Sequence, residues 1–320
     1  MAQILYIRKY SNQFCEQVYN MKTLTTTFAA TALALGLSSA ANANMMYLDL
    51  SSFGGNDADT ARFIGAPDAN TQTGSFSEFG FSQMLATSIY DFSDGSLLGD
   101  FYDTNIASEL NAAGVPTSGT AIDGVTPVNL AMPNCPAGQC DIDALSPLVP
   151  PLASDNEGFL QSWDLQVEYH FDGTLTPAGP VYTGGYVNVY FNDLVLGDGD
   201  SSGLAFSADL TGSNIQAANL DLFFDITFAA DDFLNIWNGS AWVDAADAIA
   251  SGNNPTLTLD TNVNPPIPGA DELLLVDGNL IRQSTLDGSI TGKVPAPGSI
   301  ALFGLGLLGL GLAGRRKKAA

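Results

Sequence analysis

Oxygen-bearing side chains alternate with other residues in one turn-like stretch of the chain, Asp198-Gly199-Asp200-Ser201-Ser202-Gly203. Calcium loops take oxygen ligands from positions 1, 3, 5, 7 and 12, with Gly at position 6 for a sharp turn. The alternative is a polar Asp-Gly hairpin that is exposed to solvent, because both flanks have the pattern of strands. We expect no required cofactor and name calcium as the one candidate ion, with these ligands: Asp198, Asp200, Ser202, the Leu204 carbonyl and Asp209.

Two cysteines lie close together in a turn-rich stretch, Cys135 and Cys140. They would close a loop of about six residues, and a disulfide there is worth roughly 2 kcal/mol in the chain-entropy account. The third cysteine, Cys15, lies in a segment that we expect to be absent from the mature protein. Zinc is the alternative, but a structural site needs about four Cys or His ligands and His170 is the only histidine. We predict a local disulfide.

Catalytic groups are scarce. A nucleophile with a histidine base would have to use His170, which lies between Tyr169 and Phe171 in a strand-like stretch, and no nucleophile signature surrounds any Ser or Cys. We interpret His170 as a solvent-facing strand residue and predict that the protein is not an enzyme. Two alternatives stay open: a secreted polysaccharide hydrolase with a carboxylate pair, and a calcium-dependent or carbohydrate-binding module in which Trp237, Trp242 and several Tyr stack on sugar rings.

The elements that must position these residues have a repeat of two, which is typical of strands. In the clearest strand Trp163, Leu165, Val167, Tyr169 and Phe171 share one face, and Ser162, Asp164, Gln166, Glu168 and His170 share the other. We expect the first face to pack and the second to meet water. The pattern predicts an all-β fold, an antiparallel β-sandwich of jelly-roll type with one or two short helices.

Further strands are expected along the chain, together with one helix over Ala241 to Ala250, where apolar residues recur at three and four positions. The stretch from Gly114 to Asn156 is rich in Pro, Gly and Ser and is predicted to be a long surface loop. A bulge near Gly80 would restore alternation in the second strand. The expected strands are Met46 to Leu50, Ser75 to Phe92, Leu97 to Tyr102, Tyr186 to Asn192, Leu204 to Leu210, Leu220 to Phe228, Thr256 to Asp260, Leu273 to Val276 and Ser289 to Thr291.

The N-terminal part has the three features of a secretory signal peptide: a charged start at Lys22, a short apolar core and small residues at a cleavage point. We assign the signal to residues 21–43, with cleavage after Ala43 and cleavage after Ala41 as the alternative. Residues 1–20 are interpreted as an upstream mis-start or an extended n-region, which leaves the true start codon open. Export is the consequence.

The C-terminal part combines a short marker, an apolar segment and a basic cluster. Val294-Pro295-Ala296-Pro297 is followed by an uncharged run at 300–314 and then by Arg315-Arg316-Lys317-Lys318. The run is shorter than the roughly 20 residues of a usual spanning helix, but a backbone in lipid must bond internally and becomes helical. We predict a transmembrane segment at 300–314, with the basic cluster as a stop on the cytoplasmic side.

This three-part tail, residues 294–320, resembles the PEP-CTERM sorting signal of Gram-negative bacteria, which the membrane protease exosortase recognises. Pro295 and Pro297 match the Pro-Glu-Pro triplet, and Ala296 stands where the family usually has Glu. The resemblance implies an exosortase-type partner, a transient stay in the inner membrane and release to the cell surface or extracellular matrix.

The region between the two signals, residues 44–293, is expected to be one secreted β-rich domain, and it is strongly acidic. It holds 33 of the 34 acidic residues but only Arg62, Arg282 and Lys293 of the ten basic ones, so its net charge is near −30. Nucleic acid and anionic lipid are excluded as partners because their phosphates are bound by Lys and Arg. Divalent cations or cationic polymers suit this surface, unless the charge serves only solubility.

Three short stretches of this domain resemble the flocculation-associated PEP-CTERM proteins: Gly74 to Gly80, Leu222 to Phe228 and Arg282 to Ser289. The resemblance implies a matrix protein that promotes flocculation or biofilm formation together with exopolysaccharide. It brings no catalytic residue.

Overall fold

Strands dominate the protein, as the period-two pattern predicts. The computed structural model describes residues 45–54, 71–117, 146–149, 159, 163–194 and 202–294, with the backbone alone at 82–84 and 146–149. These residues belong to one unit, Asn44–Ala320. The strands are β1 Met46–Leu48, β2 Glu78–Tyr90, β3 Gly99–Thr104, β4 Ser146–Val149, β5 Trp163–Thr176, β6 Gly179–Asp193, β7 Gly203–Gln216, β8 Asn219–Ala229, β9 Leu234–Trp237, β10 Trp242–Asp244, β11 Thr256–Asn262, β12 Leu274–Val276 and β13 Asn279–Lys293.

The described helices are short. They are α1 Ala107–Ala112 and α2 Ala245–Ala250, with 3₁₀ turns at Leu50–Phe53 and Ala270–Glu272. The helix that we predicted over Ala241 to Ala250 begins later than expected, because Trp242–Asp244 pairs with β9 as a strand. Asp244 ends that strand and caps α2, since its carboxylate accepts a hydrogen bond from the Asp247 backbone N–H at 3.1 Å.

Eight antiparallel strands hydrogen-bond in a closed ring. Their order around the ring is β2, β3, β5, β6, β7, β8, β11 and β13, and β13 pairs back onto β2. Apart from the closing β13–β2 pair, each ring strand therefore pairs with the ring strand that follows it in the chain. The antiparallel all-β prediction is confirmed, but a jelly-roll crossover between two separate sheets is not present in these strands. β4 pairs with the first residues of β2, and β12 pairs with the first residues of β13.

The ring closes along the long β2–β13 pair. The register there moves by two residues on β13, Leu286 to Gly288, and by three on β2, Met84 to Phe81, so β2 carries one extra residue. We expected a bulge near Gly80, and this one lies just beyond it. Gly288 is required at this point because a Cβ would lie 2.5 Å from the Phe81 ring and 2.3 Å from the Asp260 carbonyl oxygen.

The main core fills the ring with alternate residues from its strands. On β5 the predicted inner face is confirmed: all five of its residues are buried. The opposite face is only partly as expected. Asp164, Gln166 and Glu168 are also buried. The two carboxylates accept hydrogen bonds from amides of β6, at 2.9 Å for Asp164 and 3.1 Å for Glu168. A second, smaller cluster lies beneath α1 and contains Ile89, Leu110, Ala113, Val115, Val276 and Ile281.

In the predicted strand Leu220 to Phe228, alternation assigns Leu222, Phe224, Ile226 and Phe228 to one face, and this assignment is wrong at the end of the strand. Leu222, Phe224 and Ile226 of β8 are buried as their alternation predicts, but Phe228 is 44 % exposed. The register between β7 and β8 shifts between Ser207 and Ala208, where β8 gains one residue. A single extra residue turns every following side chain to the other face of the sheet.

The three-stranded sheet β1–β9–β10 packs against the ring near the C-terminal end of β13. Its inner side chains, Met46, Leu48, Leu234 and Ile236, are fully buried and belong to the main core. Gly292 of β13 leaves room for this contact, because a Cβ there would lie 2.7 Å from the Met46 sulfur. The described residues contain no helix that is long and apolar enough to cross a membrane.

Candidate functional site

The outer face of the three-stranded sheet carries aromatic and polar side chains together. In the register of the sheet, Tyr47 lies opposite Asn235, which lies opposite Asp244, and Trp237 lies opposite Trp242. Residues that are directly opposite in a sheet share a face, and so do residues two apart in one strand. These five side chains therefore point away from the core, and we call them the aromatic face.

The three rings of the aromatic face contact one another edge to face. The Trp242 ring lies 4.8 Å from the Tyr47 ring and 5.5 Å from the Trp237 ring, at interplanar angles of 74° and 65°. Such T-shaped pairs are favourable contacts between aromatic rings. Trp242 is nevertheless 40 % exposed, which makes it the most accessible ring of the three. The cluster is thus held in place while part of an indole surface stays open to solvent.

Polar groups border the rings and give the aromatic face a negative potential. Partial burial raises the pKa of the Tyr47 phenol, and the charges of Asp49, Asp232 and Asp244 raise it further. The pKa of Asp244 is raised as well, first by burial. Asn235 donates a hydrogen bond from its amide to the Asp232 carbonyl oxygen at 2.7 Å, which fixes its orientation.

This combination can recognise a sugar. An exposed indole ring can stack on the apolar face of a pyranose, while Asn235, which is 8 % exposed, and Asp244, which caps α2, fix the sheet that carries the ring. The sequence pointed to Trp237, Trp242 and several tyrosines, but it did not single out Tyr47 and missed Asn235 and Asp244. Spacing by two within 235–237 and 242–244 shows which residues share a face, whereas the pairing with β1, far away in the chain, leaves no local signal.

His170 lies on the outer surface of the ring, as predicted, and both of its nitrogens meet carboxylates. Nδ1 lies 2.8 Å from Glu109 Oε2 and Nε2 lies 3.2 Å from Asp172 Oδ1. Burial alone would lower the pKa of His170, but the hydrogen bonds and charges of Glu109 and then Asp172 outweigh it and raise the pKa. The ring also stacks between Tyr102 and Tyr186. These contacts are those of a charged structural group.

The predicted calcium ligands are not brought together as one loop. Ser202 accepts a hydrogen bond from the Asp193 backbone N–H at 2.8 Å, while Leu204 and Asp209 lie in β7, where Asp209 pairs with Tyr186 and Asp225. Seven residues of strand separate Ser202 from Asp209 by roughly 23 Å, too far to share an ion. Asp198 and Asp200 lie outside the described residues, and calcium binding there stays a prediction. No cluster of three or more potential metal ligands occurs among the described residues.

A small cavity of about 70 Å³ lies inside the ring. Its lining is apolar except for a few groups, chiefly Asp103 on β3 and Tyr182 on β6, whose hydroxyl donates a hydrogen bond to Asp103. Burial raises the pKa of Asp103 to about 6, and the hydroxyls of Ser88 and Tyr182 and the charge of Arg282 offset it only in part. The cavity has room for a few water molecules.

The end of β13 leads directly into the C-terminal tail. Lys293 is the last residue of the strand and pairs with Thr256, and Val294 packs against the main core. The predicted marker therefore begins in contact with the folded domain, because Pro295 is the second residue after the last residue of β13.

A comparison with protein families matches residues 293–317 to the PEP-CTERM protein-sorting motif. The chain carries a PEP-CTERM sorting signal. The match covers the marker Val294 to Pro297, the apolar run and the basic residues to Lys317, and so confirms the resemblance that the sequence suggested. This motif indicates an exported protein that exosortase processes at the membrane. No curated protein and no solved structure matches the chain.

Several predicted features lie outside the described residues, so they stay predictions. They are the signal cleavage points Ala41 and Ala43, the Cys135–Cys140 disulfide, the membrane segment 300–314 and the stop residues Arg315, Arg316, Lys317 and Lys318. Of the stretches that resemble flocculation-associated PEP-CTERM proteins, Leu222 to Phe228 lies in β8 and Arg282 to Ser289 lies in β13. Both are therefore structural strands of the ring.

Proposed function

We propose that this exported PEP-CTERM protein is a non-enzymatic component of the cell surface or extracellular matrix that binds exopolysaccharide through its aromatic face and so promotes flocculation or biofilm formation. The observation that carries the proposal is the exposed Trp242 ring, held by Tyr47 and Trp237 beside Asn235 and Asp244. The sorting signal supports the compartment, since a protein that exosortase processes meets the polymers outside the inner membrane.

The arrangement of the rings on the aromatic face supports a role in ligand binding rather than in packing of the core. Large apolar side chains at the surface are common one at a time, but here three aromatic rings contact one another on the solvent side of a sheet. The opposite side of the same sheet supplies the core contacts through Met46 and Ile236. The rings are therefore not needed to fill the interior.

A role without catalysis agrees with the contacts of the titratable groups. His170 is engaged by Glu109 and Asp172, and Asp103 is enclosed with Tyr182 inside the ring. Neither pair is placed beside the aromatic face. The resemblance of three stretches to flocculation-associated proteins supports the same role at the level of the cell.

The binding test uses the exported protein recovered from cells that express the full chain, and matrix polysaccharide extracted from the same cells. Trp242→Ala removes the exposed indole, and we expect about a tenfold loss of affinity. Phe228→Ala is the matched control, because Phe228 is exposed to a similar extent, 44 % against 40 %, but lies on β8 of the ring. Unchanged binding by Trp242→Ala, with binding to the wild-type protein shown, would overturn the aromatic face as the binding site.

The cellular test compares floc formation by a deletion strain that carries the wild-type gene, the Trp242→Ala gene or no gene. We expect flocs only with the wild-type gene. Normal flocs in the deletion strain together with lost depolymerase activity would instead favour the secreted polysaccharide hydrolase.

A further inference from the structure

Negative charge around the aromatic face exceeds the positive charge near it, since the one lysine of the described residues, Lys293, lies at the end of β13 next to this sheet. Burial alone would raise the pKa of Asp49, but hydrogen bonds from Thr71, Ser51 and Gln72 outweigh it and lower the pKa, so this carboxylate stays ionised in mild acid. The Thr71 hydroxyl is 2.6 Å from Asp49 Oδ1. Asp232, in the turn before β9, and Asp244, at the end of β10, also act on Tyr47.

The described residues hold few positive groups to offset these charges. Their basic side chains are Arg282 and Lys293, apart from His170. Arg282 is 4 % exposed and donates a hydrogen bond to the Pro265 carbonyl oxygen at 2.9 Å, so it is used inside the fold. A polymer of uronic acids or sulfated sugars would meet repulsion at the aromatic face.

An amino sugar with a free amine combines the two properties that the aromatic face offers to a ligand. Its ring has an apolar side for stacking on Trp242, and its ammonium group gains from the indole face and from nearby carboxylates. Cation–π attraction is strongest with Trp, and the exposed Asp232 is held beside the aromatic face by the hydrogen bond from the Asn235 amide to its carbonyl oxygen at 2.7 Å. Neutral sugars would gain the stacking alone.

From this geometry we infer that the aromatic face selects polysaccharides that contain hexosamine residues with free amino groups, over neutral and acidic polysaccharides. The inference rests on the proposed function, since it names the ligand class of the same site. It assigns the selectivity to the carboxylates around this face, chiefly the exposed Asp232, and the shared stacking to Trp242.

The test measures affinities of the exported protein for a glucosamine oligosaccharide and for its N-acetylated counterpart of the same length, at about pH 5.5, where ordinary carboxylates are ionised. We expect the free amines to bind about 3- to 10-fold tighter at low salt. This preference should fall at about 1 M salt, where the Debye length is about 3 Å. Trp242→Ala should weaken the binding of both oligosaccharides.

Two charge variants separate the site from the overall charge of the protein. Asp232→Asn removes an exposed charge outside the aromatic face and keeps a residue type that tolerates the positive φ of 62° at this position, so it should lose most of the preference for free amines while it keeps affinity for the acetylated oligosaccharide. Asp271→Asn removes the same charge from an exposed turn next to the other end of β13 and should keep the preference. Equal affinity for both oligosaccharides, or equal loss in the two variants, would overturn the inference and leave the proposed function standing. Binding of neither oligosaccharide, nor of matrix polysaccharide, would overturn both.

Discussion

Asp209 on β7 lies directly opposite Asp225 on β8 in an antiparallel pair. Cβ atoms of such partners are about 4.5–5.5 Å apart, and like charges at that distance are destabilising. We expect Asp209→Asn to raise the free energy of unfolding by about 0.2–1 kcal/mol at low salt, and by less at high salt. Urea denaturation measures the change. Asp271→Asn, which removes a charge without an acidic partner across a strand, is the control, and an equal gain there would contradict the pairwise explanation.

The ion pairs of His170 make stability depend on pH near neutrality. Because the folded-state pKa of His170 is raised, its contribution is fully present below the unfolded-state pKa of about 6.5 and is lost as pH rises through the folded-state pKa. We expect His170→Gln to remove this part of the pH dependence, which begins above about pH 6.5. Denaturation at several pH values checks it, and Glu109→Gln should produce a smaller change in the same direction. If the stability of His170→Gln has the same slope against pH as that of the wild type, the ion pairs of His170 are not the cause of the slope.

The buried carboxyl of Asp103 predicts a pH dependence of the same sign at lower pH. Burial raises its folded-state pKa to about 6, so the native state takes up a proton that the unfolded chain does not bind. The contribution of Asp103 to stability therefore increases as pH falls from about 7 to about 4, by on the order of 3 kcal/mol in all. Asp103→Asn should flatten the pH profile in this window while it keeps a partner for the Tyr182 hydroxyl. A profile that stays unchanged in this variant would show that another group titrates.

Substitution of Gly288 tests the pairing of β2 with β13 that closes the ring. Its Cβ position is 2.5 Å from the Phe81 ring and 2.3 Å from a backbone oxygen, so Gly288→Ala must move the strands apart. We expect a loss of about 1–3 kcal/mol, as is typical of overpacked sites, measured as a lower midpoint in urea. Gly212→Ala on β7 is the matched control, because no atom lies within 4 Å of a Cβ at that position. Comparable losses in the two variants would contradict a specific role for Gly288.

The sorting signal predicts the effect of one residue on processing. Ala296 stands where PEP-CTERM signals usually have Glu, so we expect Ala296→Glu to increase the fraction of processed protein. A pulse–chase experiment that resolves precursor from product by mass measures this fraction. Ala296→Gln adds the same bulk without the charge and should behave like the wild type. A slower loss of precursor in Ala296→Glu would show that this tail is adapted to Ala.

Local pattern was sufficient to predict strands but not their partners. The alternation in β5 and β8 is visible because each strand has one face toward the core, whereas β1, β9 and β10 are too short to show a period. Their pairing joins residues 46–48 to residues 234–237, and nothing within either segment specifies the other. The aromatic face depends on this pairing, so only its two tryptophans could be named from the sequence.

Bulges explain most of the remaining differences. The extra residue in β8 exposes Phe228, and the extra residue in β2 lies just beyond the expected position. A bulge depends on contacts with the neighbouring strand, as at Gly288 and Phe81, and those contacts are made by residues far away in the chain. The polar residues of β5 were assigned to water by their type, although paired polar groups are also stable when buried.

The pairing of β2 with β13 has a consequence for the timing of secretion. Thr87 and Gln283, whose side chains are 3.4 Å apart, are separated by 196 residues in the chain. Contacts of such high sequence separation form late and slow folding. A chain that emerges N-terminal end first therefore keeps β2 and β11 as open edges until β13 has crossed, and such edges are liable to aggregate. Because the sorting signal follows β13 within two residues, the last strand and the signal cross the membrane at the same time. A chain truncated before β13 would therefore lack both a closed ring and the sorting signal.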